Sequence, residues 1–273
     1  ARRGLLIKGG VHLEQGGQID LIALDKTGTL TEGRPVQTDF QLLAGSDADA
    51  AQQRAASLAA RSDHPVSRAL AKANSQPLLT VDDFAALPGQ GVSGLINGER
   101  YWLGNARLAE ARGLLSATLQ ERLRLLEREG KSLVLLIGED QVLALFAVAD
   151  TLKRGSRDAI RELHTLGVES IILSGDNAPT VQAIATQVGI DLAHGNLLPD
   201  DKLALIRQAR ARGKRVAMVG DGINDTPALA AADIGFAMAA AGSDSAIETA
   251  DVALMDDDLR KLPAFISLSR RTL

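Results

Sequence analysis

The chain has 273 residues and a formal net charge of −4; 45% of its residues are hydrophobic, 3% are aromatic and none is cysteine. This composition is typical of a globular protein with an aliphatic core and leaves room for two domains, while the mixed charges argue against nucleic acid as a partner. Without cysteine there are no disulfides or thiolate metal sites, and the four histidines are too scattered to suggest a metal cage.

The first long strand that the sequence predicts is Ile19–Leu24, after a glycine-rich connector over residues 4–18 that contains a short apolar strand at Leu5–Ile7. An apolar run of this length, followed at once by a small, hydroxyl-rich loop, places Asp25 at the carboxyl end of a buried strand. Gly33-Arg34-Pro35 then breaks the pattern, and the composition changes. We therefore expect a domain boundary after residue 35.

Residues 36–148 are predicted to form an α+β domain with an antiparallel sheet, in which Asn97-Gly98 is a typical hairpin turn. The predicted helices are Ala50–Ala60, Val66–Ala73, Ala106–Arg112 and Ala117–Arg128. The predicted strands are Leu79–Phe84, Gly91–Ile96, Arg100–Leu103, Ser132–Ile137 and Val142–Val148.

From Asp150 onward, helical and strand patterns alternate, which indicates a parallel sheet. The predicted strands are Ile171–Leu173, Val216–Val219, Ile234–Ala237 and Val252–Leu254. The predicted helices are Lys153–Leu166, Pro179–Val188, Lys202–Arg212 and one that ends near Ala231. The expected fold class is α/β: residues 1–35 and 149–273 form one doubly wound parallel-sheet domain, into which residues 36–148 are inserted.

Polar clusters follow different strands of this predicted sheet or begin a helix beside it. They are Asp25, Ser174-Gly175, Lys202 and the run Gly220-Asp221-Gly222-Ile223-Asn224-Asp225. Because a parallel sheet gathers the carboxyl ends of its strands along one edge, we expect these groups to form one site. Each cluster alone would also suit a turn, a helix cap or a solvated surface, but all of them in this order favour a site.

These residue types suit the transfer of a phosphoryl group to the carboxylate of Asp25. A carboxylate that attacks a phosphoryl group meets like-charge repulsion, so the site must supply positive charge and hydrogen-bond donors. The hydroxyl of Ser174 and the amide of Gly175 can donate to phosphoryl oxygens. Lys202, at a helix start, supplies a fixed cation.

The charge balance of the site predicts a divalent cation. Asp25, Asp221 and Asp225 together carry −3 and Lys202 carries +1, which leaves −2 before an anionic nucleotide arrives. A doubly charged cation brings this sum to zero. Mg²⁺ is the expected cofactor because it prefers carboxylates, substrate oxygens and water, and its expected ligands are Asp25, Asp221 and the carbonyl of Thr27.

Four motifs resemble, in sequence and order, those of the phosphorylation domain of P-type ATPases, a branch of the haloacid dehalogenase superfamily. They are Asp25-Lys26-Thr27-Gly28-Thr29-Leu30-Thr31, Ser174-Gly175-Asp176, Pro199-Asp200-Asp201-Lys202 and Gly220-Asp221-Gly222-Ile223-Asn224-Asp225. The resemblance implies that Asp25 accepts the γ-phosphate of ATP and becomes an aspartyl-phosphate. The catalytic residues that it implies are Asp25, Thr27, Ser174, Gly175, Lys202, Asn224 and Asp225. Ser174 stands where the family usually has threonine, and it keeps the hydroxyl.

Position 27 separates two enzyme classes. Phosphatases of this superfamily usually carry a second Asp two residues after the nucleophile, which serves as general acid and then as base. Thr27 cannot do this, so we expect a phosphoenzyme that outlives the transfer step. A soluble phosphatase with a cap domain and a non-enzymatic nucleotide-sensing module remain the rival hypotheses.

Three short motifs in residues 36–148 resemble the nucleotide-binding features of heavy-metal-transporting P-type ATPases. They are His64-Pro65, Gly89-Gln90-Gly91 and Gly104-Asn105. The resemblance implies that His64, Gly89, Gly91, Gly104 and Asn105 bind ATP, although a histidine before a helix-starting proline is also a common cap. Relatives often carry an acidic residue at the position of Ala59, which leaves the affinity for the base open.

Two further stretches, Ala1 to Gly10 and Ala246 to Met255, most resemble the zinc/cadmium/lead-exporting branch, with the copper branch as the alternative. The resemblance implies a cytoplasmic unit of an integral membrane protein, inserted between membrane helices of the same polypeptide that bind the transported metal. Arg2-Arg3 and Arg270-Arg271 would then be charges that flank those helices. No apolar run in the chain itself approaches the ~20 residues needed to cross a bilayer.

Overall fold

The computed structural model describes residues 4–45, 47–240 and 244–272, and its contacts divide the chain into two compact units. We call Ala1–Arg34 together with Thr151–Leu273 the split unit, and Pro35–Asp150 the inserted unit. These limits lie close to the domain boundaries expected from the sequence, after residues 35 and 148. Arg2 and Arg3, which we expected to flank a membrane helix, lie outside the described residues.

The strands and helices of the described residues are numbered in chain order. The strands are β1 Leu5–Ile7, β2 Leu21–Leu24, β3 Thr31–Leu42, β4 Asp82–Leu87, β5 Gly91–Ile96, β6 Glu99–Gly104, β7 Ser132–Ile137, β8 Val142–Leu152, β9 Glu169–Leu173, β10 Leu192–His194, β11 Val216–Gly220, β12 Ile234–Met238 and β13 Val252–Leu254. The helices are α1 Gly10–Gly16, α2 Ala48–Ala59, α3 Pro65–Ala73, α4 Ala106–Ala111, α5 Ala117–Arg128, α6 Ser156–Thr165, α7 Ala178–Val188, α8 Pro199–Ala211, α9 Thr226–Ala231, α10 Asp244–Thr249 and α11 Lys261–Thr272.

The split unit is built on one sheet, whose described strands have the order β1-β13-β12-β11-β2-β9-β10. All neighbouring strands of this sheet pair parallel, except that β1 pairs antiparallel with β13. Side chains alternate between the two faces of a strand, so Ile22 and Leu24 pack in the cluster that includes α6, α7 and α11. Ala23 packs in the cluster that includes α8, α9 and α10. Helices therefore cover both faces, and the predicted doubly wound fold is confirmed.

Strand β2 lies where the strand order reverses. From β2 the chain continues to β9 on one side, and it later returns to β11 on the other side of β2. In open α/β sheets, such a reversal leaves a crevice outside the carboxyl ends of the strands, and ligands bind there. Asp25 is the residue that directly follows β2.

The inserted unit contains most of a sheet of the order β3-β8-β7-β6-β5-β4, in which the strands from β8 to β4 pair antiparallel. Helices α2 and α3 pack on one face, with Tyr101 and Leu103 of β6 in the same cluster. Helices α4 and α5 pack on the other face, where Trp102 is partly buried. The guanidinium carbon of Arg112 lies 3.5 Å from the ring centroid of Trp102. The α+β prediction is confirmed, and Trp102 is a packing residue, as expected.

The largest difference from the sequence-based expectation is β3. Gly33-Arg34-Pro35 was expected to break the chain, yet Thr31–Leu42 is one strand. It lies at the edge of its sheet, where a proline without an N–H donor is tolerated. The connector expected over residues 4–18 also contains helix α1.

Other elements are shifted or were not predicted. Strand β4 begins at Asp82 rather than Leu79, and helix α6 begins at Ser156 rather than Lys153 because β8 extends to Leu152. Helix α8 begins at Pro199, three residues before the predicted start. Short elements β10 and α10 were missed, since three to six residues carry too little periodicity to be recognised.

Candidate active site

The sequence-predicted catalytic residues line one cavity of about 270 Å³ in the split unit. Asp25 is one of its lining residues, and its backbone N–H donates to the carbonyl of Val219 at 2.9 Å and so continues the pairing of β2 with β11. The lining residues that were predicted from the sequence are Asp25, Thr27, Ser174, Gly175, Lys202, Asp221, Asn224 and Asp225.

Lys202 joins two carboxylates at the centre of this cavity. Its ammonium donates to Oδ1 of Asp25 at 2.8 Å and to Oδ1 of Asp225 at 2.7 Å. All three side chains are nearly inaccessible to solvent, with exposed fractions of 6% for Lys202, 11% for Asp25 and 2% for Asp225. Lys202 lies in the first turn of α8, Asp25 directly follows β2, and Asp225 lies in the turn after β11. The contacts therefore join three segments of the chain.

Burial and repulsion between the carboxylates raise the pKa values of two acids in this site. Burial, followed by repulsion from Asp225, raises the pKa of Asp25 to about 7 although Lys202 opposes the shift. Burial and repulsion from Asp225 also raise the pKa of Asp221 to about 6. For Lys202, burial acts against the charged form, but Asp25 and Asp225 outweigh it and raise its pKa. Two carboxyl groups with raised pKa values indicate negative charge that the protein alone does not neutralise.

The donor set fits a hard divalent cation. Asp25, Asp221 and Asp225 each offer a carboxylate oxygen, and these oxygens lie within 4.8 Å of one another. Among the described residues, the ammonium of Lys202 donates hydrogen bonds only to Oδ1 of Asp25 and Oδ1 of Asp225. Carboxylate oxygens around a cavity open to substrate and water are the environment that Mg²⁺ prefers. Asp225, which we expected only among the catalytic residues, therefore also lies within reach of the cation.

Thr27 is held by a residue that the sequence-based site did not include. Its Oγ1 donates to Oδ2 of Asp176 at 2.7 Å, and the ammonium of the buried Lys26 lies 2.9 Å from the same oxygen. Burial alone would raise the pKa of Asp176, but the hydrogen bonds from Lys26 and Thr27 outweigh it and lower the pKa. Asp176 thus connects the loop after β2 to the loop after β9.

The loop after β9 presents the expected phosphate donors. Ser174 is buried, and its Oγ accepts a hydrogen bond from the Asp176 N–H at 3.2 Å and lies 3.4 Å from the Asp176 carboxylate. Gly175 and Asn224 line the same cavity. Ser174 and Gly175 therefore line the same cavity as Asp25.

Gly28 makes room for Asp221. A Cβ at this position would lie 1.7 Å from Oδ2 of Asp221, and the backbone there has φ of +73°. Only glycine satisfies both conditions without strain. On the other side of the loop, the ammonium of Lys153 donates to the carbonyl of Gly28 at 2.5 Å. The close approach of Asp221 to the loop therefore depends on a residue without a side chain.

A second cavity, of about 450 Å³, lies in the inserted unit. It is lined by all the residues for which nucleotide binding was expected, namely His64, Gly89, Gly91, Gly104 and Asn105. Apolar groups from β5, β6 and β7 form much of the remaining wall. A cavity of this size with few polar groups suits the ring of a nucleobase.

Two of these residues already have structural partners. The Nδ1 of His64 accepts the N–H of Val66 at 3.3 Å and so caps α3, which leaves Nε2 as the nitrogen available to a ligand. The side chain of Asn105 donates to the carbonyl of Gly89 at 2.9 Å and accepts from the N–H of Leu108. The capping role considered for His64 is thus present in the structure. Ala59 is fully buried in the core beneath this region.

The glycines of this cavity differ in what they do. Gly91 and Gly104 are paired across β5 and β6. A Cβ on Gly91 would lie 2.2 Å from the carbonyl oxygen of Leu103, and a Cβ on Gly104 would lie 2.2 Å from that of Gln90. Both are needed for the two backbones to approach. Gly89 has φ of +71° and nothing within 4 Å of its Cβ position, so its backbone conformation rather than crowding favours glycine there.

Sequence reasoning missed Lys26, Asp176 and Lys153. The first two belong to the recognised motifs but were not assigned a role, because neither spacing nor residue type shows that Lys26 is buried against Asp176. Lys153 carried no signal, since it was interpreted as the first residue of a helix.

The chain is similar in sequence to known proteins. The family model described as haloacid dehalogenase-like hydrolase matches residues 19–233. A probable cadmium-transporting ATPase of Alkalihalophilus pseudofirmus is 43% identical over 284 residues, which cover 100% of this chain and 39% of that protein. A copper-exporting P-type ATPase of Staphylococcus aureus (strain MW2) is 40% identical and is covered over 34% of its length.

Solved structures give the same result. The crystal structure of a zinc-transporting PIB-type ATPase is 38% identical, with a TM-score of 0.89 over 99% of this chain and 44% of that one. The chain thus belongs to the haloacid dehalogenase-like hydrolases and, within them, to the heavy-metal P-type ATPases. It spans 39% of the length of the cadmium-transporting relative and 34% of that of the copper-exporting one.

Proposed function

We propose that the chain is the ATP-binding and phosphorylation unit of a Zn²⁺/Cd²⁺/Pb²⁺-exporting P-type ATPase, and that Asp25 is its phosphate acceptor. The main support is the cavity in which Asp25 lies beside Lys202, Asp221 and the donors Ser174 and Gly175. A residue that is only a turn or cap aspartate would not need a buried lysine and two further carboxylates around it.

In the proposed reaction, a carboxylate oxygen of Asp25 attacks the γ-phosphorus of ATP. The bond between this phosphorus and the β–γ bridging oxygen breaks, and ADP leaves with the bonding electrons. Lys202 orients Asp25, while Ser174 and Gly175 donate to the oxygens of the transferred group. Attack of water on the phosphorus later releases phosphate and restores the carboxylate.

Asp25, Asp221 and the carbonyl of Thr27 would hold Mg²⁺, with Asp225 close by. When bound, Mg²⁺ supplies the positive charge that offsets the anionic nucleotide and the three carboxylates. The cavity of the inserted unit, with His64, Gly89, Gly91, Gly104 and Asn105, would hold the nucleotide. The split unit would thus be the phosphorylation domain and the inserted unit the nucleotide-binding domain.

Incorporation of label from γ-labelled ATP tests this proposal. The chain should take up acid-stable label in the presence of Mg²⁺, and EDTA or Asp25→Asn should abolish it. Asp191→Asn is the matched control, because this aspartate is exposed in the same unit and should leave labelling unchanged. Uptake that persists in Asp25→Asn would refute the assignment of the acceptor.

The rival function is that of a capped phosphatase. Thr27 argues against it, since its hydroxyl donates to Asp176 and it offers no carboxyl group as general acid. Small phosphomonoesters should therefore be hydrolysed slowly. Fast, metal-independent release of phosphate from them would favour the phosphatase over the ATPase.

The transported ion and the membrane setting are part of the proposal. The zinc, cadmium and lead branch is supported by the N-terminal and 246–255 motifs and by the somewhat higher identity to the cadmium-transporting relative. The chain would act on the cytoplasmic side, joined to membrane helices that bind the metal; within the described residues no helix has the length and hydropathy to span a membrane. ATP hydrolysis by the complete protein should be stimulated by Cd²⁺, Zn²⁺ or Pb²⁺. Stimulation by copper alone would select the copper-exporting branch instead.

A further inference from the structure

Lys153 makes an unusual set of contacts with the loop that carries Asp25. Its side chain is buried, with an exposed fraction of 9%, and its ammonium donates to the carbonyl of Gly28 at 2.5 Å. Its backbone N–H donates to the carbonyl of Leu30 at 2.9 Å, and the hydroxyl of Ser156 donates to the same carbonyl. The segment 153–156 therefore holds two carbonyls of the loop 26–30.

The ammonium of Lys153 is itself anchored by Asp257. Oδ2 of Asp257 lies 3.3 Å from it, and Oδ1 of the same carboxylate accepts the N–H of Ala240 at 2.9 Å. The charge of Lys153 also opposes the raised pKa of Asp221. Its hydrogen bond to Gly28 is what acts on the position of the loop, unlike the contact of Lys202, which reaches Asp25 directly.

Gly28 transmits this position to the carboxylates. On one side its carbonyl accepts from Lys153, and on the other its Cα lies against Asp221 so closely that no Cβ would fit. Thr27, whose carbonyl is a proposed ligand of the cation, is the preceding residue. A shift of the Gly28 backbone would therefore move the Thr27 carbonyl and, at the same time, change the room left for the side chain of Asp221.

We propose that Lys153 is a positioning residue for the metal site: its ammonium bridges the Gly28 carbonyl and the Asp257 carboxylate and so sets the distance between the Asp25 loop and Asp221. The inference rests on the proposed function of this site. Lys153 contacts neither the phosphoryl group nor the cation; it acts through the backbone of the loop.

The first test measures hydrogen exchange of segment 26–31 in the metal-free chain by mass spectrometry. Lys153→Met keeps the apolar stem and removes the ammonium, and exchange in this segment should accelerate about tenfold, as expected for the loss of one hydrogen bond to a charged group. Asp257→Asn keeps an oxygen for the Ala240 N–H and should accelerate it less. Lys214→Met, which removes an exposed ion pair with Glu169 in the same unit, is the control and should change nothing there.

The second test measures binding of Mn²⁺, used as a probe for Mg²⁺, by electron paramagnetic resonance. Lys153→Met should raise the dissociation constant for Mn²⁺ about tenfold, and Lys153→Arg, which can still donate to the carbonyl and pair with Asp257, should restore most of the affinity. In the labelling assay, Lys153→Met should need a correspondingly higher Mg²⁺ concentration, while nucleotide affinity stays unchanged.

The outcomes separate this inference from the proposed function. A wild-type chain that binds Mn²⁺ but takes up no label refutes the function, and the comparison of Lys153 variants can still be made. A folded Lys153→Met chain with wild-type exchange, or with faster exchange but wild-type Mn²⁺ affinity, overturns the positioning role. Should Lys153→Met fail to fold, Lys153→Arg and Asp257→Asn provide the same comparison, and Asp257→Asn with wild-type Mn²⁺ affinity counts against the role.

Discussion

Lys202 shows how one buried side chain can serve both stability and chemistry. Its ammonium contacts Asp25 and Asp225, and all three side chains expose little of their surface to solvent. A buried ion pair contributes modestly when complete, but removal of one partner leaves an unpaired charge that is costly. The residue that orients the proposed nucleophile is thus also one that the fold cannot easily lose.

Lys202→Met should therefore lower the free energy of unfolding by about 3 kcal/mol and abolish phosphorylation. The double variant Lys202→Met/Asp225→Asn should recover part of the stability, because one of the unpaired carboxylates is gone, without recovering activity. Denaturant unfolding and label uptake measure the two effects. Equal stability of the single variant and the wild type would contradict this account of the site.

Gly28 allows a second prediction at the scale of one residue. Gly28→Ala should cost about 1–2 kcal/mol for the left-handed backbone and should also displace Asp221, so Mn²⁺ binding should weaken at least tenfold. Gly167→Ala is a matched control, because Gly167 has the same φ of +73° and nothing within 4 Å of its Cβ position. Calorimetry and Mn²⁺ titration of both variants separate strain from displacement; similar loss of metal in both would rule out the steric explanation.

At the scale of elements, the close pairing of β5 with β6 shapes the cavity of the inserted unit. Gly91 lies opposite Gly104, and the Gln90 carbonyl accepts the N–H of Asn105 at 2.9 Å, so the ends of the two strands lie closer than side chains would allow. Asn105 then fixes the Gly89 loop through its amide. The wall of the cavity is therefore a consequence of backbone packing between two strands.

Gly91→Ala should push β5 away from β6, lower stability by about 2 kcal/mol and weaken nucleotide binding by at least tenfold. Gly98→Ala, at the turn of the same hairpin, has a left-handed backbone but open space and should cost only about 1 kcal/mol with unchanged affinity. Isothermal titration with ATP and thermal unfolding measure both effects. Wild-type affinity in Gly91→Ala would show that this packing does not form the binding site.

At the scale of the whole molecule, the described residues form hydrophobic clusters that remain within one unit or the other. The clusters with Ile22 and Ala23 belong to the split unit, and those with Tyr101 and Trp102 belong to the inserted unit. Each unit therefore has its own core. We therefore expect the two units to unfold in separate transitions rather than in a single two-state transition of the whole chain.

The single tryptophan makes this testable, because Trp102 lies in the inserted unit. Tryptophan fluorescence should report unfolding of that unit alone, while far-ultraviolet circular dichroism reports both. ADP at 100 times its dissociation constant, without Mg²⁺, should stabilise the fluorescence transition by about 2.7 kcal/mol and leave the other transition in place. Coincident transitions that move together with ADP would show that the units unfold as one.

Much of the fold and site could be predicted because the signals are local. An apolar run followed by Asp25, or a hairpin turn between two apolar runs, is specified by neighbouring residues, and the motif order then identified the site around Asp25, Lys202 and Asp221. Strand β3 was missed for the same reason: locally, Gly33 and Pro35 indicate a break, and only the position of β3 at a sheet edge makes them acceptable.

The sequence by itself determined which chemical groups the protein possesses: an aspartate after a buried strand, hydroxyl and amide donors, further carboxylates, and a threonine rather than a second acid at position 27. Only the tertiary structure decided which of them meet. The contacts of Lys202 with Asp25, of Thr27 with Asp176 and of Lys153 with Gly28 join residues 177, 149 and 125 positions apart. Pairings over such distances depend on the packing of the sheet and its helices, and no local pattern of residues carries that information.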